Sequence, residues 1–231
     1  MRPGHACWLC NVGEVTQDER YSYYYKKKKK SFGRSKTTIK ESFRTTNVGG
    51  ELNAGGDLTI NAHIDGDGNV TASRYSGAVL VQGAKIDAQE QVVIAGNDVN
   101  IVNQKEIRYS REETRKSGFG GLSKSSKGRI HREEILQVAQ IRAKEQNLDL
   151  ISASDINIIG SELISGGDIN MQAVDDIVIA ADQALSETKE WSKKTSFLKS
   201  FESVYEREED IQGNTQSTAV ASRLHRVETS I

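Results

Sequence analysis

The side chains best suited to bind a metal or to form a redox pair lie at the start of the chain. Cys7 and Cys10 form a C-x-x-C motif, and His5 precedes it by two residues. One such motif supplies at most half of a structural zinc site, and no second Cys or His pair follows at ligand spacing. No βαβ pattern follows to indicate a redox role. We therefore predict no metal and no cofactor, and we expect residues 1–20 to be a disordered leader.

Acidic and amide side chains recur immediately before short apolar segments. These residues are Asp57, Asn69, Asp98, Asp155, Asp168 and Asp176. A row of such groups could hold cations, but Asx side chains also shape corners of the chain, because they hydrogen-bond nearby backbone and tolerate left-handed dihedrals. Residues 65–69 begin like a calcium loop, yet glycine is absent at the sixth position and Ser76 stands where the bidentate Glu is required. The corner role is the preferred interpretation.

Catalytic chemistry has little support in the sequence. A hydrolase or lyase site needs acidic, basic or nucleophilic groups that converge on one groove, and no long segment carries such a set. No nucleophile elbow is present. The histidines have no evident partners, and they are His5, His63, His131 and His225. We expect the protein not to be an enzyme.

A run of five lysines is the remaining candidate site, and a polyanion is the partner it would contact. The run comprises Lys26, Lys27, Lys28, Lys29 and Lys30. Tyrosines precede it, and basic charge beside aromatic rings is how single-stranded nucleic acid is bound. The run is one local patch in a chain of net charge −1, however, which argues against nucleic acid as the specific partner. An anionic glycan or cell surface fits this patch better.

Short strand-like tetrads must position these groups. Each tetrad has a polar turn residue, an apolar residue, an outward residue and usually a second apolar residue, as in Asp57–Ile60 and Asp155–Ile158. Because strands have a period of two, the apolar positions of a tetrad share a face. Leu58, Val79 and Val99 are spaced by 21 and then 20 residues, so we expect them to stack in one inward column, as we expect for Ile156 and Ile177. A repeat of this length predicts a β-solenoid.

Two tetrad blocks alternate with charged insertions, and the second block repeats the first. Gly83–Ala88 corresponds to Gly160–Ser165, which indicates an internal duplication. The segments that we predict are a leader (1–20), a basic insertion (21–47), a first β-helix block (48–103), a charged insertion (104–134), a second block (135–182), a charged amphipathic insertion (183–215) and the start of a truncated third block (216–231). Because no polar cap follows, the chain is expected to be a fragment.

The insertions allow more than one local structure. Each has a basic cluster, then Ser or Gly with Phe, then Glu, and each lacks the apolar surface to fold independently. Residues 190–206 could form an amphipathic helix or a loose hairpin. Residues 135–141 are helical by propensity, but their alignment with the first block favours a strand. We predict mobile loops or hairpins that leave and re-enter the rod at one edge.

The tetrads and insertions together resemble the haemagglutinin repeat of two-partner-secretion exoproteins, the filamentous haemagglutinins and contact-dependent growth-inhibition proteins. The residues that carry the resemblance are Gly50–Ala62, Ala95–Ile101, Ser165–Met171 and the Lys-rich Ser-Phe-Gly segment Lys26–Gly33. The resemblance implies an all-β fold, a right-handed parallel β-helix with charged, partly disordered or helical insertions. It also implies a secreted or bacterial cell-surface protein whose full-length form uses an outer-membrane transporter partner.

Two functions follow as expectations. The first is a structural and adhesive stalk that holds an adhesive tip or a toxin away from the cell, with a host or neighbouring-cell surface as its partner. The second is a polyanion-binding module that uses the basic insertions. No apolar run approaches the roughly 18 residues that a transmembrane helix needs.

Overall fold

The computed structural model describes residues 9–12, 21–46, 49–60, 63–64, 67, 70–75, 77–118, 121–196 and 206–226, and it organises them almost entirely as β-strands. No helix in this part of the chain is long and apolar enough to cross a membrane. The strands of the first half are β1 (Leu9–Val12), β2 (Tyr21–Ser31), β3 (Arg34–Arg44), β4 (Glu51–Ala54), β5 (Leu58–Ile60), β6 (His63–Ile64), β7 (Val70–Thr71), β8 (Ala78–Gln82), β9 (Lys85–Ala88), β10 (Val92–Gly96) and β11 (Val99–Val102). The strands of the second half are β12 (Gln104–Gly118), β13 (Ser123–Gln137), β14 (Gln140–Ala143), β15 (Leu148–Ser152), β16 (Ile156–Ile159), β17 (Glu162–Ser165), β18 (Ile169–Ala173), β19 (Ile177–Ala180), β20 (Asp182–Ser196), β21 (Glu206–Val220) and β22 (Arg223–Arg226).

The short strands form three parallel sheets, and the chain passes through them in a fixed order. Sheet I has the order β22-β17-β14-β9-β4, sheet II the order β18-β15-β10-β5, and sheet III the order β1-β8-β11-β16-β19. Starting from β4, the chain visits sheet I, then II, then III, and then returns to sheet I. We call one such pass a coil.

Inward aliphatic side chains from the three sheets pack in one core. In β16 the apolar residues alternate, so that Ile156 and Ile158 are fully buried while their neighbours are half-buried. Burying a side chain of this size contributes about 1.5–3 kcal/mol. Because a coil contributes only a few such residues, stability accumulates coil by coil.

The register of the sheets confirms one predicted column and corrects another. Val79 pairs with Val99, and Ile156 pairs with Ile177, all within sheet III. Leu58 was expected in this column, but that expectation is wrong, because Leu58 pairs with Val92 in sheet II. The antiparallel pair β6–β7 lies between Leu58 and Val79, so their spacing contains an insertion rather than one coil.

Asx side chains at the corners link successive coils. The side-chain Oδ1 of Asp57 accepts a hydrogen bond from the backbone N–H of Gln91 at 3.1 Å, and Oδ1 of Asp155 accepts one from the N–H of Asp176 at 3.0 Å. The predicted backbone-bonding role is thus confirmed at these two corners, but the bonded backbone belongs to the next coil. The corner Asp residues do not adopt left-handed dihedrals, since Phe32 is the sole non-glycine with positive φ among the described residues.

Long strands form a separate antiparallel sheet with the order β2-β3-β12-β13-β20-β21. It consists of three hairpins, β2–β3, β12–β13 and β20–β21. In the chain order, each hairpin lies between a strand of sheet III and a strand of sheet I. Neighbouring hairpins pair through β3–β12 and β13–β20. We call this the hairpin sheet.

The spacing of the hairpins matches the spacing of the coils. Two coils separate each hairpin from the next. Two coils rise about 10 Å, and the two strands of one hairpin also span about 10 Å, because both use the same interstrand distance. Consecutive hairpins can therefore lie edge to edge while the coils beneath them stay in register.

The hairpin sheet decides between the structures that the insertions allowed. Of residues 135–141, residues 135–137 end β13 and residues 140–141 begin β14, so the favoured strand is confirmed on both sides of the corner at 138–139. The helical alternative is wrong for residues 190–196, which belong to β20, while residues 197–205 lie outside the described residues. Residues 190–196 pair with β13 through backbone hydrogen bonds. This pairing outweighs the helical preference that the spacing of their apolar side chains indicates.

Candidate anion-binding face of the hairpin sheet

The five-lysine run lies on β2, an edge strand of the hairpin sheet, and all five residues are exposed. Successive side chains of a strand point to opposite faces. Lys27 and Lys29 therefore lie on one face, while Lys26, Lys28 and Lys30 lie on the other. The run does not act as one patch, and each of its two halves must be considered with the strands that share its face.

Lys29 belongs to a row of lysines that crosses the hairpin sheet. It pairs with Lys36 on β3, and Lys36 pairs in turn with Lys116 on β12. Lys116 is opposite Ser125 on β13, which is opposite Lys194 on β20. Cross-strand partners share a face and lie about 5 Å apart. We call the face with Lys29, Lys36 and Lys116 the lysine face.

Two shallow grooves meet at the centre of this row. The larger, of about 690 Å³, extends across β3, β12, β13 and β20. The second, of about 440 Å³, extends from β2 to β13. Lys36, Lys116 and Ser125 line both grooves. A linear ligand could thus lie across the strands and remain in contact with this central group.

Two acid–base pairs lie on the lysine face, and the row itself ends at Glu208 on β21, which is opposite Lys194. Glu112 accepts a hydrogen bond from the Lys40 ammonium at 2.6 Å, and this bond raises the pKa of Lys40. Glu190 lies 3.3 Å from Arg129 Nε. Both pairs lie four residues along their strands from the lysine row, with the row of Thr38, Thr114 and Lys127 between them and the lysines. Within each pair the acidic and the basic side chain neutralise each other, so neither carboxylate neutralises the lysine row.

The opposite face contains a buried carboxylate with its own cations. Glu113 is 4% exposed, and it accepts hydrogen bonds from Arg111 Nη2 at 2.8 Å, from Ser126 Oγ at 3.0 Å and from Arg115. The bond from Arg115 is the main reason that the pKa of Glu113 is lowered. Arg111 and Arg115 thus have a carboxylate partner on this face, whereas the cross-strand neighbours of Lys116 on the lysine face are Lys36 and Ser125.

Apolar packing also favours the opposite face. Phe43 stacks on Tyr109 with their ring centroids 5.2 Å apart. Trp191 lies over Gly128, where an added Cβ would be 2.1 Å from the indole ring. Ile39 is buried on the same side. These contacts make the opposite face the one that stabilises the sheet and leave the lysine face available to solvent.

The other sequence candidates are not brought together. Cys7 and His5 lie outside the described residues, as does most of the 65–69 segment. His131 Nδ1 is 2.9 Å from the Thr188 hydroxyl, and His225 Nε2 is 3.8 Å from Glu162. Within the described part of the chain, no three His, Cys, Asp or Glu side chains are grouped to hold a metal.

Lys36 and Lys116 are the residues that sequence reasoning missed. Each lies in a different insertion, and only strand pairing between two hairpins makes them neighbours. A usable signal was nevertheless present, because each insertion places its basic cluster just before or after a Ser/Gly–Phe segment. Aligning the insertions as paired hairpins would have placed these lysines in one row.

Comparisons with known proteins agree with the repeat pattern. The family model described as "Hemagglutinin repeat" matches twice, at residues 30–129 and 119–219. A protein named tRNA nuclease CdiA from Yersinia mollaretii is 28% identical over 204 residues, which cover 81% of this chain and 6% of that protein. No solved structure matches the chain. Since the two family matches span most of its length, the chain belongs to the hemagglutinin repeat family, the repeat region of two-partner-secretion exoproteins.

Proposed function

We propose that this chain is a segment of a right-handed parallel β-helix, a solenoid that serves as a stalk in a large secreted exoprotein. The observation that carries this proposal is the fixed passage of the chain through three parallel sheets around one aliphatic core. Each added coil lengthens such a rod by about 4.8 Å without a new fold. Length made by stacking is the property that a stalk requires.

The hairpin sheet suits the stalk as a brace. Pairing between β3 and β12 and between β13 and β20 connects parts of the chain that leave the rod two coils apart. Bending the rod away from this side would separate those paired strands. The sheet therefore resists bending in one direction. We propose a mechanical and non-enzymatic role for it.

The parent protein would be delivered to the cell surface and would act there. Hemagglutinin-repeat proteins are secreted or surface-exposed, and the family resemblance extends to an outer-membrane transporter as the secretion partner. The chain spans 6% of the CdiA relative, so the nuclease activity in that protein's name is not transferred to it. In this proposal the stalk holds an adhesive or toxic module towards a host or neighbouring cell.

A surface-display experiment tests the stalk role. The chain is placed between an outer-membrane anchor and an epitope tag, and the height of the tag is measured by super-resolution or force microscopy. Deleting residues 103–180 removes two coils and one hairpin from the chain. To enlarge the effect, several copies of the chain are placed in tandem, and the deletion is made in an increasing number of them. We expect the tag to lie about 10 Å lower for each copy that carries the deletion. Reversing the charge of Lys26, Lys28 and Lys30 is the control and should leave the height unchanged. An unchanged height after the deletion would refute the stalk.

Polyanion binding is the second candidate function, and the lysine row favours it. Three lysines in adjacent strands, opposite one another and without a described acidic partner, form a positively charged surface. This function does not compete with the stalk, because it uses the hairpins rather than the coils.

A further inference from the structure

We propose that the lysine face binds a linear anionic polysaccharide laid across β2, β3 and β12, with Lys29, Lys36 and Lys116 as its cationic contacts. This inference rests on the polyanion-binding candidate above and is independent of the stalk. It differs from the sequence expectation in its residues, because it uses one lysine of the run, Lys29, and adds Lys36 and Lys116 from other strands.

Lys36 and Lys116 lie on interior strands of the hairpin sheet. Lysines on an edge strand such as β2 have a sufficient structural explanation, since they keep the exposed edge from pairing with other chains. β3 and β12 are paired on both sides, so no edge needs protection there. Like charges directly opposite one another destabilise a sheet. The pair therefore lowers the stability of the free protein, and an anionic ligand would offset that cost.

A second cationic pair on the same strands shows what a compensated arrangement looks like. Arg44 on β3 is opposite Arg108 on β12, but Arg108 is also opposite Glu133 on β13. The corresponding position beside Lys116 is Ser125. The residue directly beside the arginine pair is thus acidic, whereas the residue directly beside the lysine pair carries a hydroxyl, and the acidic residue of the lysine row, Glu208, is opposite Lys194 on the far side of the sheet. This contrast indicates that the lysine row is kept open for an external anion.

The neighbouring side chains favour a polysaccharide over a nucleic acid. Thr38 and Thr114 occupy the next positions along β3 and β12 on this face, and Ser125 lies in the row itself. Their hydroxyls can donate to and accept from sugar hydroxyls. Single-stranded nucleic acid is held by stacking on aromatic rings. The lysine and threonine rows contain no aromatic residue in β2, β3, β12 or β13, although Tyr25 lies one row beyond Lys27 on β2.

Exposed lysines bind through Coulomb attraction at high dielectric, so the expected affinity is modest and falls with salt. The test uses the full 231-residue chain and fluorescently labelled heparin, with binding measured by polarisation at several salt concentrations. The variant Lys36→Gln/Lys116→Gln should bind about five- to tenfold more weakly at low salt, and the difference should shrink as salt rises. Lys36→Arg/Lys116→Arg should retain binding, since it keeps both charges.

Two matched controls define the site. Arg44→Gln/Arg108→Gln removes two charges from the same strands and the same face, and Lys26→Gln/Lys28→Gln/Lys30→Gln removes three from the opposite face. In each control, the fold-increase in Kd should be less than half of the fold-increase caused by Lys36→Gln/Lys116→Gln. If either control loses as much, binding is a property of overall charge and the proposed row is wrong.

Thermal unfolding supplies a readout that overall charge alone would not produce. Without heparin, Lys36→Gln/Lys116→Gln should unfold at the same or a higher temperature than the unchanged chain, because it removes the opposed charges. Heparin at a concentration close to the Kd of the unchanged chain should raise its Tm, and it should raise the Tm of the variant less, because the variant binds five- to tenfold more weakly. A variant that is less stable without ligand would show that the lysines serve the fold, which would overturn the proposal.

Competition identifies the ligand class. Unlabelled heparin and hyaluronate, which carry sulfate and carboxylate groups or carboxylates alone, should both displace labelled heparin, and their ratio reports which anion the row prefers. Neutral dextran should not displace it. Displacement by oligo(dT) at a lower concentration than heparin would assign the face to nucleic acid instead. Loss of this binding would leave the height measurement of the stalk unaffected, so the two proposals fail separately.

Discussion

The Asn103 side chain packs directly against Gly160, at a corner where the chain turns from sheet III into sheet I. A Cβ added at Gly160 would lie 2.2 Å from Asn103 Nδ2, and Gly160 has a φ of 54°. Gly83 occupies the equivalent corner with a φ of 55°, in agreement with the duplication of Gly83–Ala88 and Gly160–Ser165. These two corners are the ones at which the chain continues without a hairpin.

Gly160→Ala should destabilise the chain by more than 1 kcal/mol, roughly, because it adds a clash to an unfavourable left-handed backbone. The measurement is chemical denaturation followed by circular dichroism. Gly56→Ala is the matched control, since Gly56 has no atom within 4 Å of an added Cβ and no positive φ. Equal midpoints for the two variants would contradict the corner assignment.

Ile158→Asp should destabilise the core by several kcal/mol, because it places a charge without a partner at a fully buried position. Thr59→Asp should have a mild effect, since Thr59 is exposed between Leu58 and Ile60 on β5. Thermal unfolding of both variants checks the inward and outward assignment of the tetrads. Similar losses of Tm in the two would show that one of the faces is misassigned.

The inward faces could be predicted because apolar residues alternate within each tetrad, and this alternation depends on strand geometry alone. The assignment of tetrads to sheets could not, because all three sheets use the same pattern, and Leu58 was therefore placed with Val79 rather than with Val92. The lysine row was hidden for a different reason. Lys36 and Lys116 meet only through the pairing of two hairpins, and that pairing depends on how many coils separate them.

Glu113→Gln should destabilise the protein at neutral pH, because it replaces the carboxylate that binds Arg115, Arg111 and Ser126. These partners, Arg115 foremost, lower the pKa of Glu113 in the folded state. A lowered pKa gives stability that is present above the unfolded value of about 4.3 and is lost as the pH falls through the folded value. The free-energy difference between the unchanged chain and the variant should therefore shrink on acidification.

The measurement is urea unfolding of both proteins between pH 3 and pH 7. Comparing the two proteins at each pH cancels the titration of carboxylates that they share. Glu112→Gln is the control, because Glu112 is exposed and its pair with Lys40 lies at the surface. A free-energy difference for Glu113→Gln that stays constant with pH would mean that the carboxylate carries no net stabilising charge.

Deleting a single coil should disrupt the hairpin sheet, whereas deleting two coils with one hairpin should preserve it. Removing residues 160–180 joins Ile159 to Ala181, and Ile159 is the register partner of Ala180, so the coil path itself stays intact. Hairpins β12–β13 and β20–β21 would then leave the rod one coil apart, about 5 Å, although each hairpin is about 10 Å wide. Strand β20 could no longer pair with β13 while the coils remain stacked.

Removing residues 103–180 instead joins Val102 to Ala181 and deletes coils and hairpin together. Strand β20 then takes the place of β12 beside β3, with two coils still separating the remaining hairpins. Hydrogen exchange of the β20 amides distinguishes the two proteins. We expect rapid exchange in β20 after the one-coil deletion and slow exchange after the two-coil deletion, with sheets II and III protected in both. Slow exchange of β20 in both proteins would show that the hairpins do not depend on the coil spacing.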